Sequence, residues 1–219
     1  MKGGFFVTFE GGEGSGKSSL MDRCGRELEN RGFDILTTRE PGATSLGEEV
    51  RRLVLKKNER ITIGPRAELL LYLVARAQNL QENIIPALEA GKVVLCDRYH
   101  DSTISYQGYG RGQDVLEVEN LCHLACWGVQ PQLTFFLDVD PEIGIKRSQR
   151  LAKDVAAAGE RDRIEGEELA FHDRVREGMH QLAARDVLRI CTLDAHKSED
   201  EVFSEALKIL MERTKRTRT

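Results

Sequence analysis

The sequence lacks any apolar run that approaches the roughly 18–20 residues needed to span a bilayer. Residues 1–4 lead directly into a short apolar stretch, so no signal peptide is expected. A basic excess is also lacking, since the formal net charge is −4. Proteins that bind nucleic acids or membrane surfaces usually have an excess of basic residues, so we expect neither as a partner. A small phosphorylated ligand needs only a local basic cluster and remains compatible with this composition.

Paired cysteines are lacking as well. The five cysteines are odd in number and scattered, with no C-x-x-C pair. This pattern favours reduced thiols packed in a core and therefore a reducing, cytoplasmic setting. Cys122 and Cys126 lie at helical spacing with His123 nearby. A metal site there is the weaker alternative, because a structural zinc takes four ligands.

Short apolar runs alternate with helical stretches along the whole chain. Strands are predicted at 5–10, 34–38, 93–97, 133–139 and 188–193. Helices are predicted at 17–31, from 45 to about 57 behind a capping box of Ser45 and Glu48, and at 65–90. Unbroken strands separated by helices predict an α/β three-layer sandwich, with a five-stranded parallel sheet covered on both faces. We expect residues 1–219 to form a single domain whose ligands bind beyond the carboxyl ends of the strands.

A glycine-rich loop lies between the first predicted strand and the first helix. Residues 11–18 read GGEGSGKS and fit the P-loop pattern G-x-x-x-x-G-K-[ST]. Such a loop turns backbone N–H groups and a helix N-terminus towards phosphates. We expect Lys17 to bridge the β- and γ-phosphates and the Ser18 hydroxyl to bind Mg²⁺; the alternative is a plain turn with a surface lysine. The predicted phosphate site comprises Gly11, Gly12, Glu13, Gly14, Ser15, Gly16, Lys17, Ser18 and Ser19.

Charged residues follow two further predicted strands. Arg98 follows the strand at 93–97, and its planar fork fits a pair of phosphate oxygens. Asp97 could hold a water bound to Mg²⁺ or orient Arg98, and a surface salt bridge is the alternative. Arg39 and Glu40 follow the strand at 34–38 beside a Pro-Gly turn, where they either face an acceptor nucleotide or form a solvated turn.

Five motifs in a fixed order carry a resemblance to a known family. They are FEG at 9–11, TREPG at 38–42, DRY at 97–99, YQG at 106–108 and DRIE at 162–165. From about residue 5 to 210 the chain resembles the thymidylate kinase family. The resemblance implies that ATP with Mg²⁺ donates a phosphoryl group to dTMP in dTTP synthesis, and that the enzyme is a homodimer.

Three alternative functions remain. One is another P-loop nucleoside monophosphate or deoxynucleoside kinase. A second is a GTP-binding switch, which the absence of an N-K-x-D guanine-reading element disfavours. A third is a P-loop scaffold without activity, which the five intact motifs disfavour. For a kinase the acceptor phosphate is already anionic, so direct transfer by positioning and charge neutralisation is expected, without a general base.

The resemblance also implies an acceptor pocket. Tyr72 looks like the aromatic residue that stacks on thymine, and Arg76, four positions later, like the arginine that binds a base oxygen. Thr103 resembles the residue that reads the N3–H edge, and Tyr106 the residue whose ring excludes a 2′-hydroxyl. Packing of both tyrosines in the core, a solvated arginine and helix N-capping by Ser102 are the alternatives. The implied dTMP-binding set is Glu13 near the 3′-OH, Arg39, Tyr72, Arg76, Arg98, Thr103, Tyr106 and Gln107.

Basic residues cluster before the DRIE motif. A solvated helix face is the usual reason for a charge run, but the position favours a lid at about 147–165. In one subgroup of the family the P-loop carries an arginine where this chain has Gly14, so the resemblance is to the subgroup whose lid supplies that charge. Arg161 and Arg150 are the preferred candidates, with Arg147 and Arg163 behind them. The predicted catalytic set is Lys17, Arg98, Glu13, Arg161 and Arg150, and the predicted metal ligands are Ser18 and Asp97.

Overall fold

A five-stranded parallel sheet organises the structure. The computed structural model describes residues 3–56, 60–154 and 162–218. The strands lie in the order β2-β3-β1-β4-β5 and all pairs are parallel. They are β1 Phe5–Gly11, β2 Ile35–Arg39, β3 Val93–Asp97, β4 Leu133–Asp138 and β5 Ile190–Asp194. The predicted α/β fold is therefore confirmed, and the predicted strand bounds are within two residues of the observed ones.

Helices connect the strands and cover the sheet. They are α1 Lys17–Asn30, α2 Ser45–Leu55, α3 Pro65–Asn79, α4 Ile85–Glu89, α5 His100–Thr103, α6 Val115–Cys126, α7 Pro141–Asp154, α8 Leu169–Arg185 and α9 Glu199–Arg218. Two π-helical segments, Leu80–Ile84 and Ile104–Gly110, extend α3 and α5. Among the described residues, none of these helices has the length and apolar character required to cross a membrane.

The predicted helix at 65–90 contains a break that its periodicity does not reveal. The chain widens into the π-helical turn Leu80–Ile84 just before Pro86. Proline has no N–H to donate to the carbonyl four residues earlier, so a regular α-helix cannot continue through this position without losing a hydrogen bond.

The predicted capping box of Ser45 with Glu48 is wrong by one residue. Thr44 is the N-cap of α2, and its hydroxyl accepts a hydrogen bond from the N–H of Gly47 at 2.9 Å. Glu48 reaches further back and accepts from the N–H of Ala43 at 2.9 Å. Both residues satisfy N–H groups that the start of a helix leaves without partners.

The two faces of the sheet differ in polarity. Phe5, Val7 and Phe9 of β1 pack with α1 and α9 in one apolar core. Thr8 and Glu10 alternate with them, as the period of a strand requires, and both are fully buried. Because all strands are parallel, their carboxyl ends lie at one edge of the sheet, and this edge carries the functional residues.

Helix α8 packs very closely on the π-helical segment Ile104–Gly110. A Cβ added to Gly110 would lie 2.7 Å from the ring of Phe171, and one added to Gly178 would lie 2.6 Å from the ring of Tyr109. Arg174 of α8 also donates to the carbonyl of Gly110 at 3.1 Å. These contacts fix the position of the π-helical segment, which carries Tyr106 and Gln107.

Candidate active site

The P-loop forms the predicted turn between β1 and α1. Gly11, Gly14 and Gly16 all have positive φ, at 147°, 62° and 89°, which explains why glycine is needed at these positions. Lys17 is buried, and its Nζ donates to the carbonyl oxygen of Gly12 at 2.8 Å. Among the described residues no side chain caps the N-terminus of α1, so its first N–H groups remain available to an anionic ligand.

The backbone of α7 lies directly against the P-loop. A Cβ added to Gly14 would be 2.0 Å from the carbonyl oxygen of Gly144, and one added to Gly144 would be 2.2 Å from that of Glu13. A side chain at position 14 therefore has no room. This contact gives a structural reason for the absence of an arginine from the P-loop of this chain.

Ser18 and Asp97 meet at the start of α1 and the end of β3. The hydroxyl of Ser18 donates to Oδ2 of Asp97 at 2.5 Å. A hydroxyl and a carboxylate are the hard oxygen donors that Mg²⁺ prefers, so this pair fits the predicted metal site. No cluster of three or more metal-ligating side chains occurs in the described ranges. A magnesium ion would therefore depend on phosphate oxygens and water for its remaining ligands.

Arg98 connects the P-loop to the acceptor side. Its φ of 68° is unusual for a residue with a side chain. Its Nη2 donates to Oε1 of Glu13 at 2.9 Å, and its Nη1 donates to Ser102 at 3.2 Å. The guanidinium also lies 5.0 Å from the centre of the Tyr106 ring. Arg98 therefore meets the residues predicted near the acceptor sugar.

Glu13 is held as an anion between cations. Burial alone would raise the pKa of its carboxyl, but the charges of Arg98 and Lys17 hold that pKa below its ordinary value. Burial and the nearby charge of Arg98 in turn lower the pKa of Lys17. The predicted catalytic residues Glu13, Lys17 and Arg98 thus form one interacting group where the P-loop meets β3.

Glu10 is a functional candidate that the sequence analysis named only as part of a motif. It is fully buried, and it accepts hydrogen bonds from the N–H of Tyr99 at 2.8 Å and from the Ser102 hydroxyl. Burial, followed by the charge of Asp101, raises the pKa of Glu10 to about 7. Ser102 does not cap a helix, which was one alternative, but joins Arg98 to Glu10. The sequence feature that could have identified Glu10 is an acidic residue in a strand that is otherwise free of charge.

A cavity of about 350 Å³ opens between the P-loop, α3 and the π-helical segment. All eight residues predicted to bind dTMP line it, namely Glu13, Arg39, Tyr72, Arg76, Arg98, Thr103, Tyr106 and Gln107. Lys17, Ser18 and Asp97 line it as well. The structure therefore brings the predicted acceptor residues, the P-loop lysine and the predicted metal ligands together in one cavity.

Arg76 is at the deep end of this cavity and is 2% exposed. Its Nε donates to Oε2 of Glu40 at 2.7 Å, and its Nη2 donates to the hydroxyl of Thr103 at 2.9 Å. Its Nη1 donates to Sγ of Cys122, 3.7 Å away. Glu40 also accepts from Asn79 at 3.3 Å, so the sequence alternative of a solvated turn is wrong for this carboxylate. Arg39, in contrast, is exposed and pairs with Glu48 at 2.8 Å.

Glu68 supports the acceptor cavity from behind and was not recognised in the sequence. It is 1% exposed and accepts from Nε2 of Gln107 at 2.9 Å and from Nε of Arg111 at 3.1 Å. It also accepts from Arg163 of the DRIE motif, whose Nε donates to the carbonyl of Val54 at 2.9 Å. The sequence feature that could have identified Glu68 is its position four residues before Tyr72, which places both side chains on one face of α3 and so near the same cavity.

A second cavity of about 540 Å³ lies on the other side of the P-loop. Gly14, Gly16 and Ser19 line it, together with Arg147 and Arg150 of α7. The residues after β5 complete it: Ala195, His196, Lys197, Ser198 and Glu199. This loop was missed in the sequence, although the rule that ligands bind beyond strand ends would have indicated it.

The lid candidates have different surroundings. Arg147 donates from Nη1 to the carbonyl of Ala195 at 2.8 Å, whereas Arg150 is exposed at the cavity. Arg163 is engaged by Glu68 and Val54 and therefore contributes to the acceptor side. Arg161 lies outside the described residues.

Comparisons with known proteins identify the family of this chain. The sequence model of the thymidylate kinase family matches residues 9–206. A thymidylate kinase from Protochlamydia amoebophila is 49% identical over 209 residues, which are 95% of this chain and 93% of that protein. One from Solidesulfovibrio magneticus is 48% identical, with coverage of 90% and 94%. A crystal structure of thymidylate kinase from Ehrlichia chaffeensis superposes with a TM-score of 0.73 at 31% identity, covering 95% of this chain and 99% of that one. This chain belongs to the thymidylate kinase family.

Proposed function

We propose that the protein transfers the γ-phosphoryl group of ATP to the phosphate of dTMP and so supplies dTDP for nucleotide synthesis. The observation that carries this proposal is the meeting of two cavities at the P-loop. One contains all eight predicted acceptor residues, and the other contains the P-loop glycines and two arginines of α7. Lys17 and Arg98 lie where a phosphoryl group would pass between them.

The chemistry needs one bond made and one bond broken. A phosphate oxygen of dTMP attacks the γ-phosphorus, and the bond from that phosphorus to the β,γ-bridging oxygen breaks, which releases ADP. Lys17 and Arg98 are placed to hold the negative charge of the phosphates, and burial strengthens their effect. Glu13 accepts a hydrogen bond from Arg98 at 2.9 Å and lines the cavity proposed for the acceptor.

Ser18 and Asp97 would hold Mg²⁺ together with the ATP phosphates. The ion, when bound, neutralises phosphate charge and orients the donor.

The test of the function is an ADP-release assay with one acceptor at a time. We expect dTMP to give the highest kcat/KM in a panel with dUMP, UMP, CMP and thymidine. A preference for UMP or CMP would instead favour another nucleoside monophosphate kinase, and a preference for thymidine would favour a nucleoside kinase. Activity with none of them would contradict the proposal.

We propose that Arg150 of α7, which lines the cavity beside the P-loop glycines, supplies the charge that the P-loop lacks. The lid predicted at about 147–165 lies partly outside the described residues. Arg150→Ala should lower kcat by about 10³-fold or more, as for other arginines that stabilise a phosphoryl group in transfer, with little change in the KM for dTMP. Steady-state kinetics on both substrates measures this. Arg147→Ala is the matched control: it releases the carbonyl of Ala195 and should mainly raise the KM for ATP. An unchanged kcat in Arg150→Ala would transfer the role to Arg161.

We also propose that the protein is a homodimer that covers an exposed apolar surface on α2, α3 and α6. Leu53, Leu70, Val74, Leu116 and Leu124 are between 38% and 72% exposed on these helices. Exposed clusters of large apolar side chains often mark an interface between subunits. Light scattering should therefore give twice the 24.7 kDa mass of the chain.

A further inference from the structure

A small cavity lies beneath the P-loop, between the π-helical segment and α8. Its volume is about 20 Å³, and Gly12, Glu13, Tyr106 and His172 are among the residues that line it. Glu13 and Tyr106 also line the acceptor cavity. The small cavity is therefore next to the site of reaction, and His172 is a residue that neither the motifs nor the proposed mechanism uses.

Two polar atoms of these residues are buried without a hydrogen-bond partner among the described residues. They are Oη of Tyr106 and Nε2 of His172. Tyr106 is 8% exposed and His172 is 5% exposed, so bulk water does not reach these two atoms to form hydrogen bonds. Buried polar atoms in folded proteins are almost always hydrogen-bonded to protein or to an ordered water. A cavity needs roughly 10–15 Å³ to hold one water molecule, so this one has room for a single water.

We infer that one ordered water in this cavity joins Tyr106 Oη, His172 Nε2 and the Glu13 carboxylate, and that His172 thereby acts as a positioning residue for Tyr106. The inference rests on the proposed function, because it assigns Tyr106 its place beside the acceptor sugar. Three polar partners are the usual number for a buried water.

The protonation states suit such a bridge. Burial lowers the pKa of His172, against the opposing influence of the negative charges of Glu13, Glu167 and Asp173. A neutral imidazole can donate or accept at Nε2, and an ionised Glu13 accepts. The water can therefore donate to the carboxylate and still pair with both other groups.

The bridge would hold the hydroxyl end of the Tyr106 side chain, which makes no hydrogen bond of normal geometry to the described residues. The ring is already placed by Arg98, 5.0 Å from its centre, and by an edge contact with Phe171 at 6.0 Å. Burial raises the pKa of its hydroxyl and the nearby charge of Arg98 opposes this rise, but the hydroxyl has no hydrogen-bond partner among the described residues. Fixing the hydroxyl sets the position of the ring and hence the space left for a 2′-hydroxyl on the acceptor.

A double-mutant cycle tests the inference. Tyr106→Phe and His172→Phe each remove one partner of the water and keep an aromatic ring. The readout is the ratio of kcat/KM for dTMP to that for its ribose analogue, 5-methyluridine 5′-monophosphate. We expect each single variant to lower this ratio by about tenfold, the size expected for one buried hydrogen bond to be lost. The double variant should be no worse than either single variant, because all three lose the same bridge.

His172→Gln keeps a polar group and should restore part of the ratio. Additive losses in the double variant, or an unchanged ratio in His172→Phe, would show that His172 acts only through packing and would overturn the inference. A crystal structure of the wild-type protein gives a second reading, since density for a water between the three groups is expected and an empty cavity would contradict it. Failure of the wild-type protein to phosphorylate dTMP would refute the proposed function, while the density would still decide whether the bridge exists.

Discussion

Replacing Arg98 with alanine is expected to lower kcat/KM for dTMP by about 10²–10³-fold or more, the usual effect of removing one charged donor from a phosphoryl-transfer site. The variant loses the cation that faces Glu13, Ser102 and the Tyr106 ring. Its affinity for dTMP should fall as well, whereas its affinity for ATP should change little, because the P-loop is intact. Calorimetric titration with each nucleotide separates these effects from the kinetic loss.

Lys17→Ala is the reciprocal control for Arg98→Ala. Lys17 is held by the carbonyl of Gly12 inside the P-loop, so its loss should lower kcat and weaken ATP binding while dTMP still binds. If Arg98→Ala bound dTMP with wild-type affinity, the assignment of Arg98 to the acceptor phosphate would be wrong.

The fold of the Arg98→Ala variant should survive. The φ of 68° at this position is strained for alanine about as much as for arginine, so the substitution adds little backbone strain. Glu13 loses one cation but keeps the nearby charge of Lys17, and its side chain is 24% exposed to water. A wild-type circular dichroism spectrum and melting curve would confirm that the lost activity comes from the site.

The predicted site residues that the structure gathers in one cavity were indicated by short-range rules or by the family resemblance. The P-loop follows from its pattern and from the strand and helix around it. Arg98 and Asp97 follow from the end of a predicted strand, because parallel strands share one carboxyl edge. Tyr72 and Arg76 were implied by the family resemblance, helical spacing places them on one face of α3, and both line the acceptor cavity. Such rules place a side chain on an element but do not say what it contacts.

The residues that were missed depend on how distant elements pack. Glu68 gains its importance only because Arg111 and Arg163 converge on it from other parts of the chain. Gly144 matters because α7 crosses the P-loop within contact distance of Gly14. Neither the ion pairs of Glu68 nor the contact of Gly144 with the P-loop can be predicted from a local sequence pattern. The family resemblance did not identify Glu68 or Gly144 either, because it was carried by motifs and gave no information on how distant elements pack.

Arg76→Met is expected to destabilise the protein by about 3–5 kcal/mol, the usual result of removing one partner from a buried ion pair. Arg76 and Glu40 are 2% and 5% exposed and lie 2.7 Å apart. Without Arg76 the Glu40 carboxylate would keep, among the described residues, only the amide of Asn79 as a hydrogen-bond partner. Urea denaturation at constant pH measures the difference in the free energy of unfolding.

The loss should depend on pH in a defined direction. Burial raises the pKa of Glu40 even though the charge of Arg76 opposes this. Removing Arg76 raises that pKa further, so the folded variant retains a proton at pH values where the unfolded chain has released it. Its stability should therefore increase as the pH falls from 8 towards the ordinary glutamate pKa of 4.5, more steeply than for the wild-type protein.

The double variant Arg76→Met/Glu40→Gln separates the structural role of the pair from recognition of the base. A glutamine carries no charge, so the double variant should regain most of the stability lost in Arg76→Met and should lose its pH dependence. It should not regain a normal KM for dTMP, because Arg76 lines the acceptor cavity and uses three of its five N–H groups for Glu40, Thr103 and Cys122, which leaves two for a base oxygen. A double variant with normal stability and normal KM would show that Arg76 serves only the core. One that remained as unstable as Arg76→Met would show that the ring of Tyr99, 5.0 Å from the guanidinium, and not the charge of Glu40, is the partner that the fold requires.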